Sequence, residues 1–320
     1  MKSNAAQKIL HIDDLDPRHL DPERVLAKVK NSLDRGEISL KEIERFTSFA
    51  TSTLSQLFND KYEGDREKIL NSVVRFWRSW IAKNSILHTA AAQQITQLFE
   101  ICWKRKLIGL AIGDNGRGKS TAAQSYCAIN SDRAVYLVLD ESWRLLESLD
   151  ALGEALGIES QMTGPASLRK AAIIRALQRK PKLIVIDEGD EIKPRLLSVL
   201  RTIYGDQDGR CGIVVLGTTE LEKMLRDPRN HLRYFDTRVA IRQKVSEMDD
   251  NDARKLVEEY DNDLERADIK QLCEWANHQS RNRGGMRALR HLMNLAQDIA
   301  QSSDKKEIDL DCIDAAKGMM

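Results

Sequence analysis

Eight consecutive residues near the middle of the chain restrict its fold more than any other stretch. Residues 113–120 read Gly-Asp-Asn-Gly-Arg-Gly-Lys-Ser, which fits the pattern G-x-x-x-x-G-K-[ST]. An apolar run at residues 107–112 precedes them, as expected of a buried strand, and residues 121–126 could open a helix. Glycines let the successive backbone N–H groups of such a loop point at phosphate oxygens, and a helix N-terminus adds partial positive charge. The stretch therefore predicts a phosphate-binding loop in an α/β domain.

Two side chains of this loop have specific expected roles. Lys119 should reach the β- and γ-phosphates of a nucleoside triphosphate, and the Ser120 hydroxyl should ligate Mg²⁺. The residues predicted to contact the nucleotide here are Gly113, Asp114, Asn115, Gly116, Arg117, Gly118, Lys119, Ser120 and Thr121.

Composition sets wide limits on the class of protein. The 320 residues, 42% hydrophobic and 31% charged, are enough for two or three domains. No apolar run approaches the roughly 20 residues of a membrane-spanning helix, and the N-terminus has no apolar signal region. The five scattered cysteines indicate ordinary thiols in a reducing compartment, so we expect a cytoplasmic protein with no membrane partner. Because the net charge is only +1, binding to nucleic acid would have to rely on local basic patches.

A second nucleotide motif follows the loop. Residues 183–188 read Leu-Ile-Val-Ile-Asp-Glu, an apolar strand that ends in two carboxylates. Asp187 is expected to hold the Mg²⁺ shell through water, and Glu188 to orient or deprotonate the attacking water. Adjacent parallel strands would place this pair and the phosphate loop at the same carboxyl edge of one sheet. Because the chain has no guanine-reading N-K-x-D segment, the two motifs together predict ATP hydrolysis.

Four more residues are candidates for the hydrolysis site. Thr218, or its neighbour Thr219, ends a predicted strand at residues 212–219 and could bind the γ-phosphate or the lytic water; a simple strand-end turn is the alternative. Arg233 and Arg238 precede an apolar run at residues 239–241, and either could reach the γ-phosphate of a neighbouring subunit as a finger supplied in trans. A surface ion pair is the alternative for both arginines.

The alternation of strands and helices from about residue 91 to 243 predicts a parallel α/β core. The helical segments at residues 244–320 predict a small lid, which is the arrangement of AAA+ ATPases. Arg287, near the start of one lid helix, could bind the γ-phosphate and couple the lid position to the nucleotide state. Arg290 is the rival for this role, and a plain surface position is also open.

The N-terminal part of the chain predicts a separate all-α domain. Residues 1–24 are polar and are expected to form a mobile arm. Within residues 25–90, Ser39 is a good N-cap with Glu42 as its capping-box partner, and a second short helix is expected from about residue 52 to 59. Two short helices joined by a tight turn describe a helix-turn-helix. A helical interaction bundle that never touches DNA is the alternative.

Three surfaces are candidates for contact with DNA, one of them the basic cluster Lys104-Arg105-Lys106. The outward side of the second short helix has small hydrogen-bonding side chains suited to base edges and phosphates, and a basic run without acids follows at residues 169–182. Solvated helix faces are the alternative for the basic residues. The predicted DNA contacts are Thr51, Ser52, Thr53, Ser55, Gln56, Lys61, Arg169, Lys170, Arg175, Arg179 and Lys180.

Taken in order, the motifs resemble those of the phage Mu transposition protein B family and, more distantly, the TnsC and TniB ATPases. The resemblance covers about residues 35–318. Its most specific part is the N-terminal pattern at residues 41–43, 53–55 and 59–65, and residues 186–190 and the lid helix at 288–290 also fit. The chain departs from the family at Thr218, where an asparagine is expected, and residues 1–24 have no recognised counterpart.

The resemblance implies a mechanism as well as a fold. ATP and Mg²⁺ would bind between subunits of an AAA+ P-loop ATPase and drive assembly of a helical filament on duplex DNA, with little sequence preference. A transposase would bind this filament, capture the target DNA and stimulate slow ATP hydrolysis. Two alternatives share the core: a helicase loader or replication initiator, and a transcription regulator whose helix-turn-helix is switched by nucleotide.

Overall fold

The computed structural model of the chain describes residues 21–84, 89–205, 211–227, 233–260, 262–279 and 284–320. The side chains of residues 81–84 and of Arg233 lie outside that description, as do residues 1–20 of the predicted arm. The chain forms two compact units. Residues 21–84 belong to one together with Gln124–Ser131, and the remaining described residues form the other. Within the described residues, no helix is both long enough and apolar enough to cross a membrane.

The smaller unit contains the helices α1 (Pro22–Asp34), α2 (Leu40–Thr47), α3 (Thr51–Phe58) and α4 (Arg66–Asn84). The predicted start of α2 is confirmed, because the N–H of Glu42 donates to Ser39 Oγ at 3.3 Å and the N–H of Ser39 donates to Glu42 Oε2 at 2.7 Å. Ser48, in the left-handed conformation with φ 61°, ends α2. The pair α2–α3 with its short connection is therefore present, and its use as a DNA-binding helix-turn-helix stays a prediction.

The apolar stripe of α4 belongs to the core of this unit. Val73, Phe76 and Trp77 are buried, and the Trp77 ring stacks on Trp80 with a centroid separation of 5.2 Å. The Trp77 ring therefore belongs to the core of this unit, and Trp80 packs against it while remaining partly exposed.

The larger unit is built on a five-stranded sheet in which every neighbouring pair is parallel. In chain order the strands are β1 (Ile108–Ile112), β2 (Ala134–Val138), β3 (Leu183–Asp187), β4 (Gly212–Gly217) and β5 (Val239–Lys244). Their spatial order is β2-β3-β4-β1-β5. The first four strands are almost wholly buried, as strands covered on both faces must be. The edge strand β5 is only partly buried.

The described helices of this part of the chain lie before β1 or between the strands in the sequence. They are α5 (Ala90–Arg105), α6 (Lys119–Ile129), α7 (Leu145–Ala155), α8 (Ala166–Arg179), α9 (Pro194–Tyr204), α10 (Thr219–Arg226) and α11 (Arg233–Asp236). Apolar side chains of α7, α8, α9 and α10 pack with the strands in one continuous core. A proline in the first turn of α9 and a threonine before α10 are ordinary helix-start signals.

The strand order corrects one expectation about the nucleotide motifs. The strand that leads to the loop, β1, and the strand that ends at Asp187, β3, are not adjacent, because β4 lies between them. The end of β4 at Gly217 is consequently inserted between the two predicted motifs at the carboxyl edge of the sheet. Pairing of strands so distant in sequence depends on the whole set of crossover connections, which local motifs do not reveal.

The C-terminal helices have a core of their own. They are α12 (Asp250–Val257), α13 (Arg266–His278), α14 (Met286–Ser302) and α15 (Leu310–Gly318), and their apolar faces pack together. The segment at residues 245–249, here called the connector, joins β5 to this lid. Gln94 of α5 holds it through reciprocal hydrogen bonds with Ser246, at 2.6 Å and 3.0 Å. The Asp252 carboxylate accepts the N–H of Ala90, at the start of α5, at 3.0 Å.

Candidate nucleotide site

The loop after β1 has the conformation that its glycines predict. Gly116 and Gly118 have φ angles of +84° and +78°, which side-chain-bearing residues rarely adopt. At Gly116 there is a second constraint, since a Cβ atom there would lie 1.9 Å from the carbonyl oxygen of Gly284. The loop therefore contacts the residues that precede α14 of the lid, and only glycine fits at residue 116.

Lys119 begins α6 and is only 8% exposed. Its ammonium group donates to the carbonyl oxygens of Gly113 at 2.6 Å and Asp114 at 3.0 Å. Burial lowers the pKa of Lys119, and the carboxylates of Asp187, Asp190 and Glu188 act in the opposite direction. A cation held over the loop and close to three acids matches the predicted partner of the β- and γ-phosphates. Ser120 and Thr121 follow on α6, both partly accessible.

The acidic pair lies where β3 ends. Asp187 is 3% exposed, and its two carboxylate oxygens accept different donors: the Glu188 N–H at 2.9 Å and the Tyr136 hydroxyl at 2.5 Å. Glu188 itself has the left-handed φ of 52°, a conformation that costs energy for a non-glycine residue and recurs at functional sites. This turn leaves the Glu188 side chain exposed beside the buried Asp187.

The pKa of Glu188 is raised above its ordinary value. Partial burial of the carboxyl is the main cause, and the negative charges of Asp187 and Asp190 add to it. The positive charges of Lys119 and Arg287 lower the pKa in opposition. Glu188 is therefore within electrostatic reach of both the loop lysine and the lid arginine, as an acid that orients water at this edge would need to be.

Asp190, which was not among the predicted site residues, organises the end of β4. Its carboxylate accepts the N–H of Thr218 at 3.0 Å, the Thr218 hydroxyl at 2.9 Å and the N–H of Leu221 at 2.8 Å. The Thr218 oxygen in turn accepts the N–H of Glu220 at 3.1 Å and caps α10. Any contact between Thr218 and a phosphate would require its hydroxyl to leave Asp190. The position of Asp190, three residues after Asp187, could have indicated a role in the site. Its hydrogen-bond partners, however, are about thirty residues away in the sequence.

The Arg117 side chain holds the loop to the connector. It is 16% exposed, and its guanidinium contacts Asp114 Oδ2 at 2.6 Å, the carbonyl oxygen of Val245 at 2.9 Å and Glu247 Oε1 at 3.0 Å. Because these partners hold the Arg117 guanidinium, the predicted contact of Arg117 with a nucleotide would come from its backbone N–H. Asn115 is partly exposed and lies between these anchors.

Of the two lid arginines, Arg287 lies at the site. A Cβ atom on Gly116 would be 3.5 Å from the Cβ atom of Arg287, and the charge of Arg287 acts on Glu188. Arg290, one turn further along α14, forms an ion pair with Glu259 at 3.1 Å. The geometry therefore favours Arg287 over Arg290.

Arg238, one of the two candidate finger arginines, lies at the amino ends of the strands, whereas the loop lies at their carboxyl ends. Arg238 precedes β5, whose first residue Val239 pairs with Ile108 at the start of β1. A five-residue strand at about 3.3 Å per residue separates this end of β1 from the loop, so Arg238 does not reach the loop of its own chain. Its guanidinium donates to the carbonyl oxygen of Gly205 at 3.2 Å. The side chain of Arg233 lies outside the described residues, and the trans finger stays a prediction for both.

The basic residues on α8 and just after it differ in their exposure to solvent. Arg169 is 15% exposed, forms an ion pair with Asp150 and donates to the carbonyl oxygen of Gly164 at 2.9 Å, so it fixes α8 against α7 and the loop before α8. Lys170 is partly buried. The exposed members are Arg175, Arg179 and Lys180. Arg175 and Arg179 are four residues apart and share one helix face, which leaves a smaller basic surface than the sequence predicted.

The predicted contacts on α3 also differ in accessibility. Ser52, Gln56 and Lys61 are exposed, whereas Thr51, Thr53 and Ser55 are partly buried. Thr51 and Ser55 line an open cleft of about 650 Å³ that also borders the ends of α1 and α2. Ser52 and Gln56, four residues apart, form the outward edge of α3.

The residues present suit Mg²⁺, which prefers oxygen ligands, keeps several waters and uses one or two carboxylates with substrate phosphates. The Ser120 hydroxyl and the Asp187 carboxylate supply such oxygens at the carboxyl edge of the sheet. Within the residues that the structure describes, no cluster of three or more His, Cys, Asp or Glu side chains is arranged to hold a metal by itself. The site thus fits a metal held largely by a bound nucleotide.

Comparison with known proteins agrees with this geometry. The family described as "AAA domain" matches residues 103–225. The ATP-dependent target DNA activator B of Escherichia phage D108 is 23% identical over 298 residues, which cover 88% of this chain and 90% of the relative. The protein of that name from Escherichia phage Mu is 23% identical over 294 residues, with 88% and 90% covered. A Mu-like prophage FluMu DNA transposition protein B from Haemophilus influenzae is 24% identical over 210 residues, covering 62% of this chain and 70% of the relative.

Solved structures match at the level of the fold. The Aeropyrum pernix ORC2 protein in its ADP form has a TM-score of 0.55 at 15% identity, covering 73% of this chain and 70% of that one. The Aeropyrum pernix ORC1 protein in complex with DNA has a TM-score of 0.54 at 16% identity, covering 75% and 69%. The chain therefore has the AAA-type P-loop ATPase fold, and over most of its length its sequence resembles the phage Mu transposition protein B family, as its motifs predicted.

Proposed function

We propose that this protein is an ATPase that assembles on double-stranded DNA when it binds ATP and presents that DNA to a transposase. One observation carries the nucleotide half of the proposal. Lys119, Asp187, Glu188 and the lid residue Arg287 meet at one edge of the sheet, although they come from three separate parts of the chain. The names of the relatives support the transposition half: two are ATP-dependent target DNA activators of phages, and a third is a DNA transposition protein B.

Each residue of the site has a role in this proposal. Lys119 binds the β- and γ-phosphates, while Ser120 and Asp187 hold Mg²⁺, which neutralises the phosphate charge when bound. Glu188 orients the attacking water. Arg287 binds the γ-phosphate from the lid, so that ATP and ADP would favour different lid positions. Arg238 or Arg233 of a neighbouring subunit completes the site, which makes hydrolysis depend on assembly.

The DNA surface in this proposal is local and basic. The exposed Arg175, Arg179 and Lys180 would contact phosphates, whereas the ion-paired Arg169 would not. Ser52, Gln56 and Lys61 of the smaller unit provide a second set of hydrogen-bonding groups. Contacts mostly to phosphates would give little sequence preference and an affinity that falls steeply with salt.

The test is DNA binding with ATP, with ADP and without nucleotide, for wild type and for Lys119→Ala. We expect wild type to bind a duplex of random sequence tightly only with ATP, in cooperative assemblies visible by electron microscopy. Lys119→Ala should lose nucleotide binding, assembly and DNA binding together. The control is Lys270→Ala, which removes the same charge from an exposed position on α13 and should behave as wild type.

Other outcomes would redirect the proposal. Equal DNA binding with and without ATP would overturn it. Tight binding to one specific sequence by the smaller unit would favour the transcription regulator, and recruitment of a helicase would favour the loader. If the protein assembles on DNA with ATP but a cognate transposase does not stimulate its ATP hydrolysis, only the proposed role in transposition is contradicted.

A further inference from the structure

The Tyr136 hydroxyl reaches the acidic end of the neighbouring strand. Tyr136 on β2 pairs with Val185 on β3, two residues before Asp187. Side chains two residues apart on a strand project from the same face, so Tyr136 and Asp187 lie diagonally on one side of the sheet. The tyrosine is 9% exposed, and its hydroxyl donates to Asp187 Oδ2 at 2.5 Å.

This bond belongs to a strong class of hydrogen bonds. An O–H group that donates to a carboxylate forms a short bond, roughly twice as strong as a neutral one. The other oxygen of Asp187 accepts the Glu188 N–H at 2.9 Å. The two donors therefore approach from different elements, one from the backbone turn after β3 and one from β2, and together they fix the plane of the carboxylate.

We propose that Tyr136 is a positioning residue for Mg²⁺, because it holds the Asp187 carboxylate in the orientation that receives the metal shell. The inference rests on the proposed function, since Asp187 has this role only if the site binds ATP with Mg²⁺. Tyr136 itself lies on β2, next to β3, and acts through the Asp187 carboxylate. Groups that orient a metal-bound carboxylate commonly change metal affinity by about tenfold or more when they are removed.

The test deletes the hydroxyl and keeps the ring, with Tyr136→Phe. The matched control is Tyr260→Phe, which removes the same group in the lid, where the hydroxyl donates to Asn294 at 2.7 Å. Affinity for Mn²⁺ as a Mg²⁺ substitute is measured by electron paramagnetic resonance on protein saturated with a non-hydrolysable ATP analogue. Binding of fluorescent ATP is measured separately in EDTA, and thermal unfolding is followed without nucleotide.

We expect Tyr136→Phe to weaken Mn²⁺ binding roughly tenfold and to leave ATP binding in EDTA unchanged. Tyr260→Phe should change neither. In an Asp187→Asn background the effect of Tyr136→Phe should disappear, because the anion that it orients is gone. A purely structural tyrosine would lower thermal stability in both backgrounds and leave Mn²⁺ affinity intact, which would overturn the inference.

The two proposals fail in different ways. If wild type binds no ATP, or binds it with no dependence on a divalent metal, the proposed function is wrong. If wild type shows metal-dependent ATP binding and Tyr136→Phe has the same Mn²⁺ affinity, only the role of Tyr136 is wrong. Tighter Mn²⁺ binding by Tyr136→Phe would mean that the hydroxyl competes with the metal shell, and this too would reject positioning.

Discussion

At the residue scale, Gly116 and Gly118 show two different reasons why a position in the loop requires glycine. Gly116 and Gly118 share positive φ angles, +84° and +78°. Only Gly116 also faces another part of the protein closely, with the Gly284 carbonyl oxygen 1.9 Å from the position of a Cβ atom, whereas a Cβ on Gly118 would meet nothing within 4 Å. The two positions therefore form a natural pair for comparing backbone strain with steric conflict.

We expect Gly116→Ala to destabilise the protein more than Gly118→Ala in the absence of nucleotide. Gly118→Ala should cost about 1–2 kcal/mol, the usual penalty of a Cβ in the left-handed conformation. Gly116→Ala adds the clash with Gly284, which can be relieved only by moving the lid residues before α14. Urea unfolding of both variants measures the difference, and equal losses would show that the lid does not press on the loop.

Sequence reasoning succeeded at this scale where the signal was local. The glycines, Lys119 and the Asp187–Glu188 pair lie within short motifs whose chemistry fixes their conformation. Tyr136 and Asp190 were missed because their partners, Asp187 and Thr218, lie 51 and 28 residues away. The ion pair of Arg169 with Asp150 could not be predicted for the same reason, so a basic residue that helps to hold α8 in place was interpreted as a DNA contact.

At the element scale, α5 and α12 are joined by a single buried carboxylate. Asp252 is 2% exposed and accepts the Ala90 N–H, one of the backbone donors that the first turn of α5 leaves unpaired within the helix. Lys255 lies 3.5 Å from it. The start of the helix that leads to β1 is thus tied to the first helix of the lid.

We expect Asp252→Ala to lower the free energy of unfolding by about 1–3 kcal/mol, since a buried N–H loses its acceptor. Asp252→Asn keeps an oxygen that can accept the same bond, and should lose less. Chemical denaturation followed by circular dichroism measures both. If Asn costs as much as Ala, the charge and not the hydrogen bond is what α5 requires.

Element boundaries show where sequence patterns are sufficient. The capping box at Ser39 and the apolar runs of β1 and β3 were placed correctly because each is set by neighbouring residues. The position of β4 between β1 and β3 was not predicted, since parallel pairing is decided by crossovers that span the whole core. Thr51 and Ser55 are partly buried whereas Ser52 and Gln56 are exposed. This difference depends on how α1 and α2 pack against α3, which the sequence of α3 alone does not determine.

At the scale of the whole molecule, the ionisation of the cysteine thiols distinguishes the folded from the unfolded protein. All five cysteines are free and buried. Burial raises the pKa of Cys102 to about 12, and raises that of Cys273, where nearby carboxylates contribute, to about 11. An unfolded thiol ionises at about pH 8.5, so the folded protein retains protons that the unfolded chain would release.

Stability should therefore fall as the pH rises from about 9 towards 12, by up to about 1.4 kcal/mol per pH unit for each such thiol. Urea unfolding of wild type and Cys102→Ala at several pH values isolates the Cys102 share: the variant should be less stable at pH 8 but less sensitive to alkali. Iodoacetamide at pH 8 should label the folded protein slowly and the urea-unfolded protein fully. Rapid labelling of folded protein at Cys102 would contradict its burial.

Two consecutive loop residues contact different segments of the chain, one in the connector and one in the lid. Arg117 donates to the Val245 carbonyl oxygen, where the connector begins, and Gly116 lies against Gly284, before α14. The hydrogen bond from the Ala90 N–H to Asp252 holds the lid at a further point. A rigid body held at three points that are not in line cannot rotate. Movement of the lid in response to a nucleotide would therefore require the release of at least one of these contacts, and the contact that is released would set the direction of the movement.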